Sequence, residues 1–253
     1  MRIWGSRFLV VLLFVTWIVA GCGERSGEVE RNRSAHSGEV PDSWVARRES
    51  MVRDQIWRRG VQDPEVLRAM RAVPRHLFVP QSIRGRACDD TPLPIGYDQT
   101  ISQPYIVALM TELLDLERGE RVLEVGTGSG YQAAVLAMIV DSVYTIEIIE
   151  PLARVAMSTL EELGYHRVRV RIGDGYAGWE EAAPFDGIIV TCAPRDIPPP
   201  LVDQLAEGGR LVIPCGDLWH QELLVVEKKD GEIRRKSVLP VRFVPLIGPH
   251  GEE

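Results

Sequence analysis

Residues 121–131 read Arg-Val-Leu-Glu-Val-Gly-Thr-Gly-Ser-Gly-Tyr, and they are the most informative stretch of the chain. The pattern predicts a short apolar strand, a turn with three glycines, and then an alanine-rich helix over 131–140. A glycine turn between strand and helix lets the backbone approach a nucleotide-like ligand closely. The turn spells G-x-G-x-G and carries no phosphate-binding lysine, which favours a ligand without phosphate.

An acidic residue follows at the position that such a ligand requires. The second apolar run, 142–146, ends at Glu147, about 20 residues beyond the first glycine. An acid there accepts hydrogen bonds from ribose hydroxyls. We therefore expect an adenosine-type cofactor, with S-adenosylmethionine favoured over NAD. The alternative is a tight strand–helix turn that binds nothing.

Strand and helix patterns alternate from Arg121 onward, which predicts an α/β, Rossmann-like fold. We expect a mainly parallel seven-stranded sheet with helices on both faces. The connection 228–235 contains Asp230-Gly231, which predicts an antiparallel C-terminal hairpin. The predicted strands are 121–125, 142–147, 167–172, 185–191, 209–214, 221–227 and about 238–244, with helices that include 152–163 and 201–206.

The part before the glycine turn is predicted to be mostly helical. Helical spacing covers 43–78 with a break at Gly60, and Asp63-Pro64 is typical of a helix start. Residues 79–100 are rich in Pro, Gly and Asp and predict an ordered loop, followed by a helix over 104–116. We therefore divide the chain into an N-terminal helical extension with its loop, 43–100, and a cofactor-binding core, 101–253.

The first 22 residues differ from the rest. A positive start and an apolar run of about 13 residues, too short to span a bilayer comfortably, end at Val19-Ala20-Gly21-Cys22. This pattern resembles a bacterial lipoprotein signal, which predicts lipidation of Cys22 and a disordered polar linker over 23–42. An uncleaved N-terminal anchor, or a start codon placed upstream of a cytoplasmic protein, are the alternatives.

Composition excludes some classes of function. The net charge is −7, which disfavours a nucleic-acid surface. Apart from Cys22, the cysteines are Cys88, Cys192 and Cys215, and three thiols form no disulfide framework. We predict no metal, no nucleic-acid partner, membrane contact only through the lipid anchor, and a monomer.

Several blocks together resemble the protein-L-isoaspartate O-methyltransferase family, over about residues 45 to 247. The most specific block is Gln99-Thr100-Ile101-Ser102-Gln103-Pro104, because the glycine turn is shared with many methyltransferases. The others are the stretch 122–134, Gly173-Asp174-Gly175, the stretch 183–191 and Val241-Arg242-Phe243-Val244-Pro245-Leu246.

The resemblance implies a class I methyltransferase that transfers a methyl group from S-adenosylmethionine to the α-carboxylate of L-isoaspartyl residues in damaged polypeptides. It implies that Ser102 is the active-site serine and that the loop containing it closes over cofactor and substrate. The cofactor-binding residues are then Thr100, Ile101, Glu124, Gly126, Thr127, Gly128, Ser129, Gly130, Glu147, Asp174 and Gly175.

The residue types agree with that chemistry. A carboxylate nucleophile with a pKa near 4 is already ionised at neutral pH, so no catalytic base is needed. Ser102 would orient the carboxylate by hydrogen bonding, although it could instead, or also, cap the helix that begins near Pro104. Asp174 between two glycines could equally be a turn residue.

Two departures from the family and its usual compartment leave alternatives open. Asp98 stands where a small residue is common and would repel a substrate carboxylate if it pointed inward, and Cys192 replaces an alanine. Most of the family is cytoplasmic, where S-adenosylmethionine is made, whereas the N-terminal signal predicts the bacterial envelope. A methyltransferase acting on another carboxylate, or a non-catalytic polypeptide-binding protein, are the competing hypotheses.

Overall fold

A computed structural model describes residues 41–249 of the chain. These residues belong to one compact unit that spans Val40–Glu253. The predicted signal segment, Cys22 and the linker as far as residue 40 lie outside the described residues, and the first helix already begins at Pro41. Within residues 41–249, no helix has the length and apolar character needed to span a bilayer.

A seven-stranded sheet forms the centre of the described part of the chain, with the order β5-β4-β3-β6-β7-β8-β9. The pairs from β5 to β7 are parallel, while β7–β8 and β8–β9 are antiparallel, as the sequence predicts. These strands are β3 (Arg121–Val125), β4 (Ser142–Glu147), β5 (Val168–Ile172), β6 (Phe185–Val190), β7 (Leu205–Gly216), β8 (Gln221–Lys229) and β9 (Glu232–Val241). A separate small hairpin pairs β1 (Leu93–Gly96) with β2 (Gln99–Ile101).

Six α-helices in the described residues connect and cover the strands. They are α1 (Pro41–Met51), α2 (Pro64–Ala72), α3 (Pro104–Leu114), α4 (Tyr131–Ala137), α5 (Glu150–Glu162) and α6 (Pro199–Asp203). The start of α2 shows the local cause: the Asp63 side chain accepts hydrogen bonds from the amides of Glu65 and Val66, at 2.8 and 2.9 Å. Proline occupies the first turn of α2, α3, α5 and α6, where its missing N–H costs nothing.

The sheet is buried on both faces. Val122 belongs to a hydrophobic cluster formed with α1, α2, α3 and α4, whereas the next residue, Leu123, belongs to a cluster that includes Leu201 of α6. Successive strand residues point to opposite faces, so a parallel strand between two layers must be apolar throughout. This explains why β3, β4 and β6 are mainly apolar, with Glu124 and Thr145 as buried polar exceptions that bond to each other.

Several predicted boundaries are wrong. The predicted loop 79–100 contains the β1–β2 hairpin and a short 3₁₀ segment, Gln81–Arg86. The predicted helix 201–206 ends early because β7 already begins at Leu205. Strand β9 begins at Glu232 rather than near 238, since Asp230 and Gly231 at φ 57° and 74° form a two-residue turn that pairs Lys229 with Glu232.

The β1–β2 turn explains the position of Asp98. Tyr97 and Asp98 both have positive φ, 53° and 57°, which is the conformation of a type I′ hairpin turn. Both side chains are exposed at the tip of the hairpin. Asp98 therefore lines neither of the cavities described below, and the condition for repelling a substrate carboxylate, an inward-pointing side chain, is not met.

Candidate active site

One cavity, which we call the main cavity because most of the predicted site residues line it, lies at the carboxyl edge of the parallel strands, where β3, β4 and β6 end side by side. This edge is where open α/β sheets bind their ligands. The β2 segment and a C-terminal stretch after β9 close the cavity. Its lining comprises 99–102, Val107, 124–129, Tyr131, Gln132, 146–149, Gly175, Thr191, Cys192 and 244–247.

The cavity brings most of the predicted site residues together. Two predicted residues, Gly130 and Asp174, do not line it. Those that do are Thr100, Ile101, Ser102, Glu124, Gly126, Thr127, Gly128, Ser129, Glu147 and Gly175.

The glycine turn is held against the end of β6. Gly126 has a φ of 97°, and a β-carbon there would lie 2.4 Å from Oγ1 of Thr191. The Thr191 hydroxyl donates to the Gly126 carbonyl at 2.7 Å. No side chain larger than hydrogen fits at Gly126, so the glycine is required by close packing as well as by its backbone angle.

Glu147 ties the glycine turn to the end of β4. Its carboxylate accepts hydrogen bonds from the amides of Gly128 and Ile149, at 2.8 and 2.9 Å. The side chain is only 6% exposed and lines the cavity. A carboxylate offers about four acceptor sites, so two remain for hydroxyl donors of a ligand.

Gly130 and Asp174 act on the local backbone. Gly130 starts α4 with a φ of 84°, and a β-carbon there would lie 3.2 Å from the Leu160 side chain of α5. Asp174 accepts a hydrogen bond from the Tyr176 amide at 2.9 Å, which forms the turn that presents Gly175 to the cavity.

Ser102 lies between β2 and α3. The N-cap of α3 is Gln103 and no side-chain capping bond is present, so the alternative role of Ser102 as a helix cap is wrong. The Ser102 hydroxyl has no hydrogen-bond partner among residues 41–249 and lines the cavity. It is available to a ligand.

A fully buried arginine, which the sequence analysis missed, holds the Ser102 segment. Arg75 is 0% exposed, and it donates to the carbonyls of Ala87 and Ser102, both at 2.8 Å. Its guanidinium carbon lies 4.8 Å from the ring centroid of Tyr131 at the start of α4. An arginine directly after Val73-Pro74 in an apolar region was the available signal, since arginine is rarely buried without a structural partner.

Glu124 is a buried acid in the same cavity. Its Oε2 accepts from the Thr145 hydroxyl at 2.5 Å, while Oε1 has no partner within the described part of the chain. Burial, together with the nearby charge of Glu147, raises the pKa of Glu124 to about 8. The group is therefore mainly protonated at neutral pH, and it can donate as well as accept a hydrogen bond.

The described residues contain three free cysteines, one of which lines the main cavity. Burial raises the pKa of Cys192, which lines the cavity as a protonated thiol. Cys88, Cys192 and Cys215 are free. Within residues 41–249, no cluster of three or more His, Cys, Asp or Glu could hold a metal ion.

The fold and the site define a class of protein. A mainly parallel seven-stranded sheet, a G-x-G-x-G turn after β3 and a buried acid at the end of β4 are the features of a class I, S-adenosylmethionine-dependent methyltransferase. Residues 46–251 match the protein-L-isoaspartate(D-aspartate) O-methyltransferase family. The chain belongs to this family, and it is a protein carboxyl methyltransferase.

Relatives and solved structures agree with this assignment. A protein-L-isoaspartate O-methyltransferase of Opitutus terrae is 59% identical over 200 residues, which covers 79% of this chain and 86% of the relative. One from Geobacter metallireducens is 54% identical over 205 residues, 81% of this chain and 95% of the relative.

Among solved structures, a protein-L-isoaspartate O-methyltransferase superposes with a TM-score of 0.75 at 32% identity, over 81% of this chain and 67% of that one. A Plasmodium falciparum protein described as a member of the same family, in complex with S-adenosyl-L-homocysteine, superposes with a TM-score of 0.69 at 28% identity. The match covers 81% of this chain and 98% of that one.

The raised pKa of Glu124 predicts a pH-dependent stability. In the unfolded protein the pKa of Glu124 is near 4.5, whereas in the folded protein its pKa is about 8. Because the folded state binds more protons between these values, its free energy of unfolding falls as the pH rises through that window. In Glu124→Gln this fall should disappear, which urea unfolding at pH 5 and pH 8 measures.

Glu180→Gln is the matched control, because Glu180 is exposed and should leave the pH dependence as it is. An unchanged slope in Glu124→Gln would show that Glu124 is already ionised in the folded protein at pH 5.

Proposed function

We propose that this chain methylates the free α-carboxylate of L-isoaspartyl residues in damaged polypeptides, with Ser102 orienting that carboxylate. The observation that supports the proposal is the junction of two cavities. A second cavity, lined in part by Tyr105 and Phe243, adjoins the main one. Thr100, Ser102, Thr191 and Val244 line both.

The residues of the main cavity fit S-adenosylmethionine. Glu147 presents carboxylate oxygens for the two ribose hydroxyls, and Glu124, whose Oε1 has no hydrogen-bond partner among residues 41–249, lines the same cavity. The turn at Gly126 and Gly128 leaves backbone rather than side chains against the ligand. When bound, S-adenosylmethionine supplies an electrophilic methyl group on a sulfonium.

The proposed methyl transfer needs no general base from the protein. The substrate carboxylate is ionised at neutral pH, so no side chain needs to remove a proton from it. The Ser102 hydroxyl donates to one carboxylate oxygen and leaves the other free to attack. The segments 99–102 and 244–247 line the main cavity, and catalysis comes mainly from proximity and alignment of the reacting groups.

The methyl ester leaves the enzyme as a better electrophile than the carboxylate. Attack by the neighbouring backbone nitrogen expels methanol and forms a succinimide. Hydrolysis of the succinimide adds water at either carbonyl, so part of the product is normal aspartate. These steps need no residue of this chain.

Ser102→Ala should lower the methylation rate of an isoaspartyl peptide by about ten- to a thousandfold, since a positioning hydrogen bond is lost at the reacting group. Affinity for S-adenosylmethionine should stay nearly the same, because the hydroxyl faces the substrate. Transfer of labelled methyl groups and calorimetric titration measure the two quantities. Ser158→Ala, on the exposed face of α5, is the control, and wild-type turnover in Ser102→Ala would refute the role.

Glu147→Ala should weaken S-adenosylmethionine binding by about ten- to a hundredfold, because two hydrogen bonds to a charged acceptor are lost. Calorimetric titration of the full-length protein provides the measurement, with exposed Glu162→Ala on α5 as control. Wild-type affinity in a folded Glu147→Ala protein would remove Glu147 from the binding site.

We also propose that the chain is a monomeric enzyme anchored to the bacterial envelope by a lipid on Cys22. The positive start, the short apolar run and the residues Val19-Ala20-Gly21-Cys22 support this proposal. A cytoplasmic location, as for most of the family, is the alternative. It would place the enzyme directly beside its supply of S-adenosylmethionine.

Cys22→Ser should abolish lipid labelling and maturation of the full-length protein in a bacterial host and should move it out of the membrane fraction. Cys88→Ser is the matched control and should keep the label. Unprocessed wild-type chain in the cytosolic fraction would instead support the cytoplasmic alternative.

A further inference from the structure

The second cavity, which we call the substrate groove, has positively charged but no negatively charged side chains in its lining. Its lining includes two arginines, Arg59 and Arg242, and no aspartate or glutamate. Most of the remaining lining is apolar. The whole chain has a net charge of −7, so a groove without acids beside Ser102 stands apart from the rest of the molecule.

Arg59 forms a fixed wall of the groove. Its guanidinium carbon lies 3.6 Å from the ring centroid of Tyr105, and Nη1 lies 3.1 Å from Oδ2 of Asp90. Asp90 also accepts a hydrogen bond from Gln103 at 2.7 Å. The charge of Arg59 is therefore largely balanced by a carboxylate that does not line the groove.

Arg242 is the unbalanced charge. It follows directly after β9, is exposed, and makes no ion pair or hydrogen bond with any residue from 41 to 249. Its neighbours in the chain are Val241 and Phe243, and both line the groove. A cation held at an apolar rim without a counter-charge favours a carboxylate brought by a ligand.

The edge strand β9 extends the same charge away from the groove. Arg235 and Lys236 are exposed on it and form no ion pair within the described residues. Charged side chains on an edge strand also discourage aggregation, and that role alone would leave the choice of substrate unaffected. A role in preventing aggregation and a role in choosing the substrate can therefore be distinguished by measuring substrate preference.

We infer that the substrate groove favours isoaspartyl polypeptides with an acidic side chain within two residues of the isoaspartyl residue, and that Arg242 determines this preference. The inference rests on the proposed function, because it takes the reacting carboxylate to lie at Ser102 and the flanking chain to lie in the groove. An exposed ion pair of this kind changes affinity about two- to fivefold, and a lysine in its place is repelled.

The test uses three isoaspartyl peptides that are identical except for Glu, Gln or Lys at the positions on either side of the isoaspartyl residue. The order of kcat/KM should be Glu, then Gln, then Lys, with a Glu-to-Lys ratio of about three- to tenfold at low salt. The ratio should approach one near ~0.5 M salt, where exposed charges are screened.

Variants identify the residue responsible. Arg242→Gln should bring the Glu-to-Lys ratio close to one, and Arg242→Glu should reverse it in favour of the Lys peptide. Arg154→Gln makes the same change of charge on α5, which packs against β4 and β5, far from β9 in the sheet order, and should keep the wild-type ratio. S-adenosylmethionine affinity checks that each variant is folded.

Equal kcat/KM for the three peptides in the wild type would overturn the inference. So would a Glu-to-Lys ratio that is the same in wild type, Arg242→Gln and Arg242→Glu. If none of the three peptides is methylated, the proposed function itself fails and the inference fails with it. That outcome is distinct from methylation without preference.

Discussion

The carboxylate of Glu147 accepts hydrogen bonds from the amides of Gly128 and Ile149, and the arrangement of the site depends on these contacts. They join the turn after β3 to the end of its parallel neighbour β4. The same turn is packed on Thr191 at the end of β6. Three strand ends are thereby held in one geometry, and the buried carboxylate faces the cavity between them.

The region before the sheet belongs to the same structural unit as the site. Arg75 lies in it, and its guanidinium bonds to the carbonyls of Ala87 and Ser102 and faces the ring of Tyr131. A buried cation without a carboxylate partner is costly, so these contacts have to form together. The helical extension therefore shapes the site, because it sets the backbone from which the Ser102 hydroxyl projects.

Those parts of the fold that depend on local pattern could be predicted from the sequence. The strands β3, β4 and β6 are mainly apolar, Asp63-Pro64 marks a helix start, and Asp230-Gly231 marks a hairpin turn. The glycine turn and Glu147 follow a known spacing, and the structure brings both into one cavity. Sequence patterns of this kind reflect contacts within a few tens of residues.

The errors concern features whose local signals are weak or point to another structure. The charged residues in the first half of β9 predict a loop, whereas exposed edge strands often carry such residues as well. The β1–β2 hairpin has Tyr97 and Asp98 where such turns favour asparagine and glycine. Arg75 was overlooked because its partners lie 12 and 27 residues further along the chain.

The stretch 244–247, which follows β9, lines the main cavity. Hydrogen bonds between Ala193 and the backbone of Val244 and Leu246 hold it there. It is made only after all nine described strands. During synthesis the sheet can assemble from its N-terminal strands onward, but the pocket stays open on one side until residues 244–247 have been made. A chain interrupted even a few residues before Val244 would be folded in most of its core and still lack a wall of the site.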